Sequence, residues 1–212
     1  MIGPVSGTTR LTVDLEKCRA RQHFPTSALP PTSPPAGRPA SKTSPAALVP
    51  AVLSGLNLGD DVLEIGPGPG LTTETLVPYV QRLTVIEIDE VLSPTLSKRV
   101  ADTGVAVVTG DATNMPFRDD RFSAVVCFTM LHHIPTPALQ DRLLSEVHRV
   151  LRPGGLFAGS DSSGRGIQFR LMHLFATMTP VDPATLTDRL RAAGFHTVQV
   201  TSEPRTQFRA VA

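Results

Sequence analysis

The sequence has few cysteines, no long apolar run and almost no net charge. Its 212 residues carry 20 Lys and Arg against 19 Asp and Glu, so no overall field favours nucleic acid or an anionic membrane as a partner. Cys18 and Cys127 are far apart, and Cys127 falls in an apolar stretch, which predicts a reduced thiol and a cytoplasmic protein rather than a disulfide scaffold. No apolar run approaches the ~20 residues that span a bilayer, and the N-terminus lacks a signal-peptide pattern.

Residues 1–45 differ in composition from the rest of the chain. They contain eight of the 20 prolines and little apolar periodicity, so we expect this segment to be disordered. Its six basic and two acidic residues are dispersed, which favours a solvated linker over a polyanion-binding tail. The folded domain is therefore predicted to span residues 46–212, where Pro50 should either begin the first helical stretch or kink it.

From residue 46 onward, strand-like and helix-like patterns alternate. Short β-branched runs predict strands at 62–65, 83–88, 105–109, 123–128 and 156–159. Amphipathic stretches predict helices at 72–79, 90–101, 137–151 and 183–193, the third of which should end at the Arg-Pro-Gly-Gly breaker at 152–155. This alternation predicts an α/β fold, a doubly wound parallel sheet with helices on both faces. Two later runs, 196–201 and 207–211, are joined by a short link, so the last strand should be antiparallel.

A glycine-rich loop follows the first predicted strand. The range 66–70 reads Gly-Pro-Gly-Pro-Gly, and its glycines let a ligand approach the backbone just before a helix that offers free N–H groups. Leu71 stands where a dinucleotide fingerprint needs glycine, which disfavours NAD. The two prolines remove backbone donors, so we expect a less charged ligand than a pyrophosphate. A Gly-Pro turn that binds nothing is the alternative.

Acidic residues end the second predicted strand. Glu87 lies 21 residues beyond Gly66, where a carboxylate can accept both hydroxyls of a ribose. Its alternative role is to favour the start of the next helix, which we assign instead to Asp89 and Glu90.

The third predicted strand leads into residues suited to an adenine ring. Asp111 could accept a hydrogen bond from the adenine amine, while the Ala112 N–H could serve a ring nitrogen. Ile88 and Met115 would supply apolar faces to the ring.

These motifs resemble those of the class I S-adenosylmethionine-dependent methyltransferases, in the branch that acts on small molecules. The resemblance also includes ranges 122–126, 131–134 and 144–157, and it covers about residues 46–212. It implies a Rossmann-like, seven-stranded, mostly parallel sheet with an antiparallel last strand. It further implies S-adenosyl-L-methionine as the cofactor, bound by Glu64, Gly66, Gly68, Gly70, Glu87, Ile88, Asp111, Ala112 and Phe128. In this assignment Glu64 and the glycine loop hold the methionine part, and the Phe128 carbonyl accepts from its amine.

The implied reaction is in-line transfer of a methyl group to a small-molecule acceptor. A general base would help if the acceptor is a hydroxyl or a protonated amine, and His132 or His133 lies at the correct edge of the sheet. A His-His pair there is also a structural part of the family motif, so both interpretations stay open. His173 lies in an apolar stretch that could line the acceptor pocket or pack as an amphipathic helix, and Cys127 is expected in the core.

The chain departs from the family pattern at two places. Family members place ordered helices before the glycine loop, and the proline-rich segment here predicts weaker cofactor binding or closure. The range 127–130 (Cys-Phe-Thr-Met) replaces the Asn-Pro-Pro-Tyr-like residues of base-amine methylases, which disfavours a nucleic-acid acceptor. The alternatives are a non-catalytic S-adenosylmethionine-binding protein and, less favoured, a nicotinamide-dependent oxidoreductase. No metal site is predicted.

Overall fold

A computed structural model describes residues 44–162, 178–202 and 205–212, and the strands within them form one sheet. The strands are β1 (Asp61–Ile65), β2 (Arg82–Glu87), β3 (Ala106–Thr109), β4 (Phe122–Phe128), β5 (Leu151–Asp161), β6 (His196–Thr201) and β7 (Thr206–Val211). Their order across the seven-stranded sheet is β3-β2-β1-β4-β5-β7-β6. Strands β1 to β5 are parallel, whereas β7 is antiparallel to both β5 and β6. The expected mostly parallel sheet with an antiparallel last strand is therefore confirmed.

Helices cover both faces of this sheet. They are α1 (Pro45–Leu53), α2 (Leu71–Leu76), α3 (Leu92–Arg99), α4 (Pro137–Val150) and α5 (Pro183–Ala192). Successive strand residues point to opposite faces, so Leu63 joins one hydrophobic cluster with α4 and α5, and Val62 joins a second cluster with α1, α2 and α3. Among the helices that the structure describes, none is both long and apolar enough to cross a membrane.

The first helix corrects the predicted domain start. It begins at Pro45, which the sequence analysis had placed in the disordered segment, and Pro50 lies inside it rather than at its beginning. Proline fits the first helical position because the N–H there has no helical acceptor, and α1 buries Val49 and Val52 against the second cluster. The rest of the predicted disordered segment, residues 1–43, lies outside the described residues.

Strand β5 is longer than the predicted range 156–159. Leu151 pairs with Phe122 and Leu156 with Ala124, so residues 152–155 form an irregularity within β5 instead of a loop before it. Helix α4 ends at Val150, just before the Arg-Pro-Gly-Gly sequence, as predicted. Strand β5 then begins at the next residue, with no loop between them. The far end of β5 also extends two residues beyond Gly159, to Asp161.

Candidate functional site

Glu64 is a buried carboxylate near the end of β1. Only 1% of its surface is exposed, and its two oxygens accept hydrogen bonds from the hydroxyls of Thr72 and, at 2.6 Å, Thr73. Burial raises the pKa of Glu64 to about 7, against the opposing effect of the two hydroxyl donors. The negative charge of Glu87 adds to this rise, and the parallel register of β1 and β2 places both acidic residues at the same end of the sheet.

Glu87 ends β2 and contacts the glycine loop. Its Oε2 accepts a hydrogen bond from the Gly68 N–H at 3.0 Å, and its Oε1 accepts one from the Asp89 N–H at 3.0 Å. Each carboxylate oxygen can accept two hydrogen bonds, so both oxygens keep capacity for the hydroxyls of a ribose. Burial raises the pKa of Glu87, although the two backbone donors oppose the rise. The capping role assigned to Asp89 is confirmed, because its Oδ1 accepts from the Val91 and Leu92 N–H groups.

The glycine loop needs its glycines for different reasons. Gly66, Gly68 and Gly70 all have positive φ, at 62°, 54° and 87°. A Cβ added at Gly66 would collide with Met130 Cγ, whereas a Cβ at Gly68 would meet no atom within 4 Å. The Gly68 side of the loop therefore faces open space beside Glu87, and a side chain there would fill it. An uncharged sugar that offers hydroxyl donors fits this donor and acceptor set.

The predicted adenine loop follows β3. Asp111 Oδ1 accepts from the Thr113 N–H at 2.8 Å, which fixes the loop in an Asx turn and leaves the other carboxylate oxygen for a ligand. Within the described part of the chain, the Ala112 N–H has no acceptor. Ile88 is half-buried beside this loop, while Met115 is buried in the first cluster.

Helix α4 holds this loop from outside. Glu146 Oε2 accepts from the Met115 N–H at 2.7 Å, and Arg142 Nε donates to the Thr113 carbonyl at 2.8 Å. Arg149 donates to the Met115 and Phe117 carbonyls and pairs with Glu146, which holds the pKa of that carboxyl below its usual range. The sequence predicts this helix from its amphipathic pattern and includes residues 144–150 in the family resemblance, but it does not indicate these contacts with the loop.

The two histidines lie in a 3-10 turn, Leu131–His133, after β4. His132 is buried, and its Nδ1 forms a short hydrogen bond with Oδ1 of Asp161 at the end of β5. The His132 backbone N–H donates to the other Asp161 oxygen at 3.2 Å, and the two imidazole centroids are 4.2 Å apart. Sequence analysis missed Asp161 because it ended β5 at Gly159. The feature of the sequence that could have identified Asp161 is a polar residue at the carboxyl end of a central strand.

Two further sequence hypotheses concern Cys127 and His173. Cys127 is a buried free thiol, and burial, together with the negative charges of Asp161 and Glu64, raises its pKa well above the usual value. Its burial in the first cluster confirms that Cys127 is a core residue. His173 lies within residues 163–177, outside the described part of the chain.

Comparison with known proteins identifies relatives of this chain. Residues 63–159 match the methyltransferase domain family. A Mycolicibacterium smegmatis protein named "probable S-adenosylmethionine-dependent methyltransferase" is 30% identical over 143 residues, 65% of this chain and 52% of the relative. The phthiotriol/phenolphthiotriol dimycocerosates methyltransferase of Mycobacterium tuberculosis is 36% identical over 107 residues, 49% of this chain and 38% of the relative. The chain thus spans about half or less of the curated relatives it matches.

A solved structure supports the fold. The Haemonchus contortus phosphoethanolamine N-methyltransferase 2 in complex with S-adenosyl-L-methionine superposes with a TM-score of 0.63 at 18% identity, covering 75% of this chain and 38% of that one. At this identity the likeness concerns the arrangement of strands and helices alone.

Proposed function

Because this chain belongs to the class I S-adenosylmethionine-dependent methyltransferases, we propose that it transfers a methyl group from S-adenosyl-L-methionine to a small-molecule acceptor. The observation that carries the proposal is the position of Glu64, Glu87 and Asp111 at the carboxyl ends of three neighbouring parallel strands, with Glu87 bonded to the Gly68 N–H of the glycine loop. In α/β sheets ligands bind at this carboxyl edge. The M. tuberculosis relative is named for phthiotriol and phenolphthiotriol dimycocerosates, which supports a small-molecule acceptor.

Different residues of the site would bind the ribose, the adenine and the methionine part of the cofactor. Glu87 would accept the two ribose hydroxyls, and Asp111 with the Ala112 N–H would hold the adenine edge, against the half-buried Ile88. Glu64 and the Phe128 carbonyl, at the ends of β1 and β4, would face the methionine ammonium. These contacts use carboxylates and backbone groups that the unliganded fold already holds in place.

The bound cofactor supplies a sulfonium methyl group that is already activated for displacement. The protein must therefore hold the acceptor atom in line with the carbon–sulfur bond. Asp161 fixes the His132 ring through Nδ1, so the His132 side chain has one orientation at the acceptor end. We assign His132 as the general base that takes the acceptor proton. His133 lies beside it in the same turn.

Two measurements test this function. Calorimetric titration with S-adenosylhomocysteine should show one site per chain, and NADH should not bind. Methyl transfer from labelled S-adenosylmethionine should then appear with phenols, quinols or amines and not with transfer RNA. Binding without turnover on this panel would favour the non-catalytic alternative, and a protein that binds no S-adenosylhomocysteine would refute the proposal.

A further inference from the structure

We propose that Arg205 binds a carboxylate group of the methyl acceptor. This inference rests on the proposed function, because it assigns the acceptor side of the same site. It concerns a residue just before β7 that neither the motifs nor the cofactor contacts include.

Arg205 lies at the carboxyl ends of β4 and β5. The register pairs Thr206 with Asp161, so the residue before Thr206 is beside the end of β5. Arg205 Nη2 donates to Thr129 Oγ1 at 2.9 Å, and the Thr129 N–H donates to the Ser160 carbonyl at 2.7 Å. Thr129 follows Phe128 directly and has a φ of 55°, a strained conformation for a β-branched residue. The guanidinium is thereby held between the strand that ends in Phe128 and the strand that ends in Asp161.

The guanidinium keeps one edge without a partner. Arg205 Nε is buried and has no hydrogen-bond partner, and no carboxylate among the described residues pairs with Arg205. The Nε–H and one Nη2–H of arginine point the same way and together match the two oxygens of a carboxylate.

This chain uses the same edge elsewhere to hold carboxylates. Arg99 donates from Nε and Nη2 to the two oxygens of Glu74, at 2.7 and 2.9 Å. Arg149 does the same with Glu146, at 2.8 and 2.7 Å. Arg205 carries the same Nε–Nη2 edge, and because no carboxylate among the described residues pairs with it, we assign that edge to a carboxylate of the bound acceptor.

Arg205 Nε is one of five buried side-chain polar atoms without a partner among the described residues, and Ser160 Oγ and Thr206 Oγ1 are two others. The register pairs Thr206 with Asp161, so the Ser160 and Thr206 side chains point to opposite faces of the sheet and do not converge on one ligand. Buried polar groups are normally paired, so the Arg205 Nε–H is the donor that a bound carboxylate would satisfy.

The test compares acids with neutral molecules of the same shape. The probes are 4-hydroxybenzoate and 10-hydroxydecanoate, each beside its primary amide, titrated into the full chain saturated with S-adenosylhomocysteine. We expect at least one acid to bind about tenfold or more tightly than its amide, and the Arg205→Met variant to bind the two about equally. The matched control Arg191→Met removes an exposed arginine on α5 and should keep the preference.

Further variants separate charge from geometry and guard against misfolding. Arg205→Lys keeps the charge without the two-point edge and should lose most of the preference, and Thr129→Val should weaken it by removing the hydroxyl that orients Arg205. Unchanged S-adenosylhomocysteine affinity shows that each variant is folded. Equal binding of acid and amide by the wild type, binding of neither, or a preference that survives in Arg205→Met would overturn the inference while leaving the methyltransferase proposal intact. Loss of S-adenosylhomocysteine binding by the wild type itself would instead overturn both.

Discussion

Replacing Glu64 by glutamine should remove a pH-dependent loss of stability. Its carboxyl has a pKa raised from 4.5 to about 7 by burial, so the folded protein retains a proton that the unfolded chain has already released. Between these two pKa values the native state binds more protons than the unfolded state. The free energy of unfolding therefore decreases as the pH rises through this window.

The size of the effect follows from the shift. A difference of roughly 2.5 pH units at 1.36 kcal/mol each amounts to about 3 kcal/mol, of which about 2.5 kcal/mol falls between pH 5 and pH 8. The side chain is fully buried, so solvent screening does not reduce this figure appreciably. Glutamine keeps the shape, because one threonine hydroxyl can still donate to the amide oxygen while the other rotates to accept from the amide NH2 group.

The assay is urea unfolding of the wild type and Glu64→Gln at several pH values from 5 to 8. The stability of the variant relative to the wild type should increase with pH by about 2.5 kcal/mol across the range. Gln81→Ala, at an exposed and uncharged position just before β2, serves as the control and should keep the pH trend of the wild type. Parallel pH profiles for wild type and Glu64→Gln would refute the argument that burial controls this carboxyl.

Four further predictions follow from the site. Glu87→Ala should weaken S-adenosylhomocysteine binding by about 1 to 3 kcal/mol in calorimetry through loss of charge-assisted hydrogen bonds; unchanged affinity would contradict the ribose assignment. Gly66→Ala should cost more unfolding free energy than Gly68→Ala because only the former meets Met130, whereas Gly68→Ala should weaken cofactor binding more than its stability change explains. Glu146→Gln should raise the KM for S-adenosylmethionine by loosening the Met115 backbone, with kcat less affected. His132→Asn should lower kcat while leaving S-adenosylhomocysteine affinity unchanged, and a parallel loss of affinity or of unfolding free energy would indicate a structural role only.

The positions of the residues proposed for the cofactor were predictable because these residues belong to local motifs. The glycine loop and Glu87 each follow a β-branched strand, and parallel strands bring their carboxyl ends to one edge. Sequence analysis could not show that Glu87 bonds to the Gly68 N–H, since that contact depends on the twist and spacing of two strands.

The acceptor side was less predictable because its contacts join distant parts of the chain. Ser160 and Asp161 are polar residues that do not continue the apolar pattern of β5, so the strand seemed to end at Gly159. Their burial comes from pairing with β7 near the C-terminus. Of the two alternatives for Pro50, the one in which it begins the helix is wrong, because α1 starts at Pro45 and packs Val49 and Val52 against the second cluster.

Helix α4 contacts both the histidine turn and the predicted adenine loop. Its Gln140 amide donates to the carbonyls of Leu131 and Thr179 at the histidine turn, while its Arg142, two residues on, grips the Thr113 carbonyl of the adenine loop. The distance between the proposed nucleobase and acceptor positions is thus set by one helix, α4, rather than by two independent loops. Replacing this helix with one of different pitch or length would misalign the methyl group and the acceptor atom even if every ligand contact were preserved.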